Sequence, residues 1–211
     1  MKVTILYDNT VWAKGLRSDW GFSCLVEAHG KTILFDTGAN GNILRDNMNK
    51  LGIDPKVVDE VFISHTHFDH TGGLNAFLEL NPVRVFIPSS CRVAKTDTPI
   101  TRVKEPLEIH DHIFSTGELS GIEQSLVVKT ETGVAIIAGC SHPGVRMILN
   151  RAARHGQVEM LLGGLHGFRE FALLENLKLV CPTHCTQFKK EIQTRYPDSY
   201  QEGGAGRVIE F

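Results

Sequence analysis

The chain has 211 residues, 42% of them hydrophobic, with 22 basic and 24 acidic side chains giving a formal net charge of -2. That is enough apolar material for a sizeable core, so one domain over residues 1–211 is the expectation, and the balanced charge lacks the basic footprint that would point to a nucleic-acid partner. No apolar run approaches the roughly 20 residues of a membrane span, and Val3-Thr4-Ile5-Leu6-Tyr7 is too short for a signal-peptide core before Asp8 interrupts it, so a cytoplasmic protein with no membrane partner is expected.

The first third reads as sheet: residues 2–7, 22–28 and 31–35 alternate or run apolar, with His29-Gly30 as a hairpin turn. Residues 42–51 have helical character, with Gly52 just past their end and Asp54-Pro55 opening the next connection. A short buried strand at 60–63, a helix at 74–80 stopped by Asn81-Pro82, and a strand at 83–87 make the middle alternate between the two states. Residues 89–106 show no period and read as a connection or lid. A hairpin follows over 125–129 and 134–138, turning at Glu131-Thr132-Gly133. A helix at 144–155 places Val145, Ile148, Leu149 and Ala152 on one face before Gly156. Strands at 160–162 and 177–180, a helix near 187–196 and a strand at 207–211 complete the chain. Two sheets covered by outer helices fit this order.

The densest chemical signal is His65-Thr66-His67-Phe68-Asp69-His70, which follows an apolar strand and precedes Thr71-Gly72-Gly73. In extended backbone, residues two apart project to one side, so His65 and His67 can reach one metal. The glycine pair eases a sharp turn that lets Asp69 and His70 face a second metal. The alternative is a surface histidine loop in which Asp69 caps the following helix; three clustered imidazoles would then still need partners. His142, in Gly139-Cys140-Ser141-His142-Pro143-Gly144, and His184, in Cys181-Pro182-Thr183-His184-Cys185, stand where strands end, the usual origin of ligands held by a rigid sheet. Imidazole and carboxylate donors suit zinc, and iron, manganese and nickel accept the same set. The odd number of cysteines, five, points to free thiols in a reducing compartment; Cys181 and Cys185 lack a second pair to complete a structural zinc site, and Cys140 reads as a small buried thiol before it reads as an extra ligand.

The six-residue run resembles the H-x-H-x-D-H signature of the metallo-β-lactamase superfamily, and Phe35-Asp36-Thr37-Gly38 sits where that superfamily's aspartate-glycine turn usually stands. The resemblance spans nearly the whole chain. It implies an α/β (α+β) fold, a four-layer αββα sandwich, holding two divalent metal ions: His65, His67 and His142 around one, Asp69, His70 and His184 around the other, with Asp36 orienting the ligand loop. Within the superfamily, Leu6-Tyr7-Asp8-Asn9, Thr116-Gly117-Glu118, Gly139-Cys140-Ser141-His142, Gly163-Gly164-Leu165-His166 and the closing Gly204-Ala205-Gly206-Arg207-Val208-Ile209-Glu210 look like the subgroup named for dihydropterin-ribofuranosylaminobenzene-phosphate synthase. Two departures stand out. The superfamily often places a bridging aspartate at the end of a late strand, where this chain has Gly139-Cys140-Ser141-His142, and residues 89–106 look shorter than the matching region of the synthases.

These features lead to the expectation of a hydrolase acting on an ester, lactone or phosphoester-type small molecule, with metals that acidify a water and polarise the substrate oxygen while Asp69 orients or deprotonates that water. His166 is expected as an acid or hydrogen-bond donor in the pocket, and Asp8 and Asn9 as substrate contacts. A transferase condensing a dihydropterin with an aminobenzene ribose phosphate is the alternative, and a non-hydrolytic metal or redox module a further one. Self-association into a homo-oligomer is left open.

Overall fold

In the computed structural model, which describes residues 1–93 and 96–211, the first 35 residues make three neighbouring strands, β1 (Lys2–Tyr7), β2 (Ser23–Ala28) and β3 (Lys31–Phe35). β2 and β3 turn through His29 and Gly30, whose φ values of 50° and 73° belong to the left-handed region that such tight turns use. Helix α1 (Gly41–Lys50) starts where the Asn40 side chain accepts from the backbone N–H of Asn42 and Ile43, and ends before Gly52 at φ 70°. Then come β4 (Glu60–Phe62), a short α2 (Phe68–Thr71), α3 (Leu74–Leu78), β5 (Arg84–Pro88) and β6 (Ile100–Val103). The second half contributes β7 (Leu107–His110), β8 (Ile113–Ser115), β9 (Leu126–Lys129), β10 (Val134–Ala138), α4 (Val145–Ala152), β11 (Val158–Gly164), β12 (Leu179–Thr183), α5 (Lys189–Arg195) and β13 (Val208–Glu210).

These strands form two mixed sheets, one in the order β13-β1-β2-β3-β4-β5-β6 and the other β12-β11-β10-β9-β8-β7. Their facing sides share one core, in which Phe22, Phe35 and Phe62 of the first sheet meet residues such as Leu126, Ile137, Met160 and Leu162 of the second. Outside the first sheet, Ile43, Leu44 and Met48 of α1 and Leu74, Phe77 and Leu78 of α3 cover its back; outside the second, Val145, Ile148 and Ala152 of α4 and Ile192 of α5 do the same. The result is the four-layer αββα sandwich expected from the sequence. Fully burying one such side chain contributes about 1.5–3 kcal/mol, so the Phe35–Phe62 stack, with ring centroids 5.5 Å apart, fixes the ends of β3 and β4 firmly. Among the described residues no helix is long and apolar enough to cross a membrane.

Strand direction positions the functional loops. β1 is antiparallel to β2 and β2 to β3, so β1 and β3 run the same way, and β3, β4 and β5 are parallel neighbours. β10, β11 and β12 are likewise parallel. The carboxyl ends of β1, β3 and β4 carry Asp8, Asp36 and His65, and those of β10, β11 and β12 carry Cys140, His166 and His184.

Three strands escape the sequence reading. β6 lies inside the stretch expected to be an unstructured connection and pairs in parallel with β5, Val85 against Ile100 and Pro88 against Val103; residues 94 and 95 of that stretch lie outside the described residues. β7 and β8 follow it. β6 and β7 are four-residue sheet-edge strands with mostly half-exposed side chains, too short and too mixed in polarity to show a period. The glycine pair also acts differently from expectation. Gly72 and Gly73 have ordinary helical φ values of -62° and -86°, and what they supply is closeness: a Cβ on Gly72 would lie 2.2 Å from the Ala39 carbonyl oxygen and one on Gly73 2.3 Å from that of Thr37. The ligand loop is thereby pressed against the loop that carries Asp36.

Candidate metal centre

The extended stretch after β4 presents His65 and His67 to the same side, and their facing nitrogens, His65 Nε2 and His67 Nδ1, lie 3.0 Å apart. His142, arriving from β10, places its Nε2 3.2 Å from His65 Nε2. Beside this trio, Asp69 Oδ2 is 3.2 Å from His184 Nε2 and 3.8 Å from His70 Nε2. Asp69 therefore faces the second histidine pair and does not cap α3, whose first turn has no side-chain cap. The Cys140 sulfur lies between the two groups, 3.2 Å from His70 Nε2 and within 4.8 Å of the donor atoms of His65, His142 and His184. Sequence favoured a small buried thiol there. It is buried, but its sulfur occupies the space between the groups, where the sequence showed no bridging aspartate.

The protonation pattern of the rings follows from their outer partners. Asp36 Oδ2 accepts from Ser64 Oγ at 2.6 Å and from His70 Nδ1 at 2.7 Å, while its Oδ1 accepts the Ser64 N–H. Since the Ser64 hydroxyl proton is given to Asp36, its oxygen accepts from His65 Nδ1 at 2.9 Å. At His184, the N–H of Gly21 donates to Asn9 Oδ1, which fixes that atom as oxygen, so His184 Nδ1, 2.9 Å away, must be the donor. All three rings thus carry their proton outward on Nδ1 and turn an Nε2 lone pair inward. Burial lowers the pKa of His65 and His70 well below the usual imidazole range, and burial together with His166 and His67 lowers His142 to about 4, so these rings are neutral at pH 7.

Converging lone pairs beside a charged carboxylate repel one another without a cation. Tetrahedral nitrogen ligands about 2.0–2.1 Å from zinc stand roughly 3.3 Å apart, close to the spacings of the first trio. The donor set fits divalent metal ions on both sides, and the added sulfur suits a thiophilic one such as zinc. Four residues near the centre, Asp36, Ser141, His166 and His184, hold positive φ values between 43° and 61°. Such backbone costs on the order of 1–3 kcal/mol each and concentrates where side-chain placement is functional.

Asp8 and Asn9, expected as substrate contacts, both bond His184. Asp8 is fully buried and its Oδ1 accepts the N–H of His184 and of Asn9. Asn9 commits its Nδ2 to the His184 carbonyl and its Oδ1 to the His184 ring. Both hold His184 from behind. His166 lies beside His142, with ring centroids 4.7 Å apart, and burial lowers its pKa.

Glu123 was not found by sequence reading. Its carboxylate is buried at the turn after β10 and accepts four successive backbone donors: Gly139, Cys140 and Ser141 N–H on Oε1 at 3.0–3.1 Å, and His142 N–H on Oε2 at 2.9 Å. Burial raises its pKa to about 7 against the opposing pull of these N–H groups. A nest of amides that needs an anion leaves no trace in the spacing of residues sixteen apart, and the stretch around Glu123 has no period of its own.

The chain belongs to the metallo-beta-lactamase superfamily, whose family model matches residues 21–145. It is 26% identical to the 7,8-dihydropterin-6-methyl-4-(beta-D-ribofuranosyl)-aminobenzene-5'-phosphate synthase of Methanocaldococcus jannaschii over 277 residues, covering 97% of this chain and 92% of that protein. Among solved structures, it is similar to Tm1679, a metal-dependent hydrolase of the beta-lactamase superfamily, with 28% identity, a TM-score of 0.80, and coverage of 100% of this chain and 99% of the other. Zinc-bound PqqB from Methylobacterium extorquens shares the fold at 12% identity and a TM-score of 0.65, with both chains covered in full.

The buried rings make the metal-free protein acid-sensitive. His65 and His70 have folded pKa values below their unfolded value of about 6.5, so the unfolded chain binds more protons once the pH falls under that value. Their contribution is fully present above pH 6.5 and is lost on acidification, each ring giving a slope of up to about 1.4 kcal/mol per pH unit. Urea unfolding of metal-free protein at a series of pH values should show stability falling from about pH 6.5 downward; a flat profile between pH 6.5 and 5 would show these rings to be solvated.

Proposed function

We propose that the protein is a metal-dependent hydrolase that holds two divalent ions, zinc first, with iron, manganese or nickel as the other fitting choices, and cleaves an ester, lactone or phosphoester-type small molecule. The observation that carries this reading is the set of inward imidazole lone pairs, fixed by outer hydrogen bonds, with the Asp69 carboxylate turned into the same space. His65, His67 and His142 hold one ion, Asp69, His70 and His184 the other, and Cys140 stands within reach of both. Bound there, the ions supply an acidified water and polarise the substrate's carbonyl or phosphoryl oxygen. Asp69 orients the attacking water and accepts its proton. His166, neutral at pH 7, offers an N–H to substrate, and Trp20, half exposed with its ring 4.9 Å from that of His184, gives the site an apolar wall. The likeness to Tm1679 over the whole chain supports hydrolysis. Free cysteines throughout fit a cytoplasmic setting, and the partner is a small molecule.

A second reading, the condensation of a dihydropterin with an aminobenzene ribose phosphate, is favoured by the relative from Methanocaldococcus jannaschii. That alignment spans 277 residues against the 211 of this chain, so the relative carries insertions that this chain lacks. Product analysis separates the two. Metal-loaded protein given phosphodiesters, lactones and aryl esters in 18O-water should release a product carrying the heavy oxygen. Coupling of the two larger substrates with release of pyrophosphate, and no hydrolysis, would establish the second reading instead.

A further inference from the structure

We propose that Cys140 and Cys185 form an oxidation site that couples the redox state of the protein to its hold on metal. The two sulfurs lie 3.3 Å apart, on loops that leave β10 and β12, strands that are not neighbours because β11 runs between them. They meet because β11 ends in glycine. A Cβ on Gly164 would lie 2.7 Å from the Cys185 sulfur and 3.2 Å from Cys140 Cα, so any other residue there would fill the space in which the thiols touch. A disulfide bond is about 2.05 Å long, so little more than an ångström of approach joins them.

The consequence follows from where the Cys140 sulfur stands. It stands within reach of both histidine groups, and a sulfur bonded to Cys185 is no longer a thiolate donor. This step rests on the metal-binding reading given above. The oxidant is hydrogen peroxide, small enough for a cleft where Cys185 is 7% and Cys140 2% exposed. The Cys185 thiolate attacks one peroxide oxygen, giving a sulfenic acid and hydroxide. The proton that Cys185 gave up on forming its thiolate neutralises the hydroxide to water, and the Cys140 thiol then attacks the sulfenic sulfur, its own proton leaving with the sulfenic hydroxyl as the second water. In sum, two thiols and one peroxide become one disulfide and two waters. A thiol reductant reverses the change.

The test uses whole protein stripped of metal, treated with a small molar excess of peroxide and digested without reduction. The expected result is a Cys140–Cys185 crosslinked peptide, lighter by two hydrogens, with zinc affinity lowered at least about tenfold and restored by dithiothreitol. Prior zinc loading should slow the crosslink, and Cys185→Ser, folded by circular dichroism, should bind zinc but form no crosslink. Sulfinic or sulfonic acid in place of the crosslink, or a crosslink to Cys24, Cys91 or Cys181, overturns the proposal. A crosslink that leaves zinc affinity unchanged also overturns it. If untreated protein binds no metal, the proposed function fails and the coupling falls with it, whereas mass analysis of the metal-free protein still decides separately whether the thiol pair exists.

Discussion

Asp69→Asn is expected to lower turnover by about 10²–10⁴-fold, the usual contribution of a positioned base. The Asp69 carboxylate turns Oδ2 toward the His184 and His70 rings, among the converging donor atoms. The amide keeps the shape of the side chain but cannot accept a proton. Its backbone contacts, including the bond from Phe22 N–H to the Asp69 carbonyl, remain, so the variant should fold normally. Metal content measured on the same sample separates lost chemistry from a lost ligand. Activity near that of the parent would remove Asp69 from the role given to it.

Glu123→Gln is expected to destabilise the metal-free protein by about 1–3 kcal/mol, and Glu123→Ala by upwards of about 4 kcal/mol. The glutamine oxygen can still take the three N–H groups now on Oε1, but its amide nitrogen then faces the N–H of His142, donor against donor. Alanine leaves four donors, three of them buried, without an acceptor. Because that loop carries both Cys140 and His142, the same substitutions should weaken metal binding along with folding. Urea unfolding and metal titration of each variant check both effects; unchanged stability in Glu123→Ala would mean that the loop is held by other contacts.

The parts of this molecule visible in its sequence are those set by local pattern. His65 and His67 show themselves because ligands two apart obey the period of extended chain, Asp69 and His70 because they crowd into the same six-residue run, and β1 and β3 have the bounds that their apolar runs suggest. His142 and His184 were identifiable because each follows an apolar strand, although only the parallel order of β10, β11 and β12 explains why they arrive at the same edge as His65. What sequence did not show depends on contacts across the fold. Asp8 and Asn9 end a strand in the manner of pocket residues, and it is the packing of His184 against them that turns them into its support. Glu123 meets its four partners sixteen to nineteen residues away. Cys140 looked like an ordinary core thiol until β4 and β10 set its sulfur beside His70, seventy residues earlier.

The central claim is that these side chains hold two divalent metal ions. The most direct measurement is elemental analysis of the purified protein beside a His67→Ala, Asp69→Ala, His184→Ala variant shown by circular dichroism to be folded. The account predicts about two equivalents of zinc, iron, manganese or nickel per chain in the parent and their loss in the variant. No metal in the parent under any loading condition, or equal metal in both proteins, would contradict it.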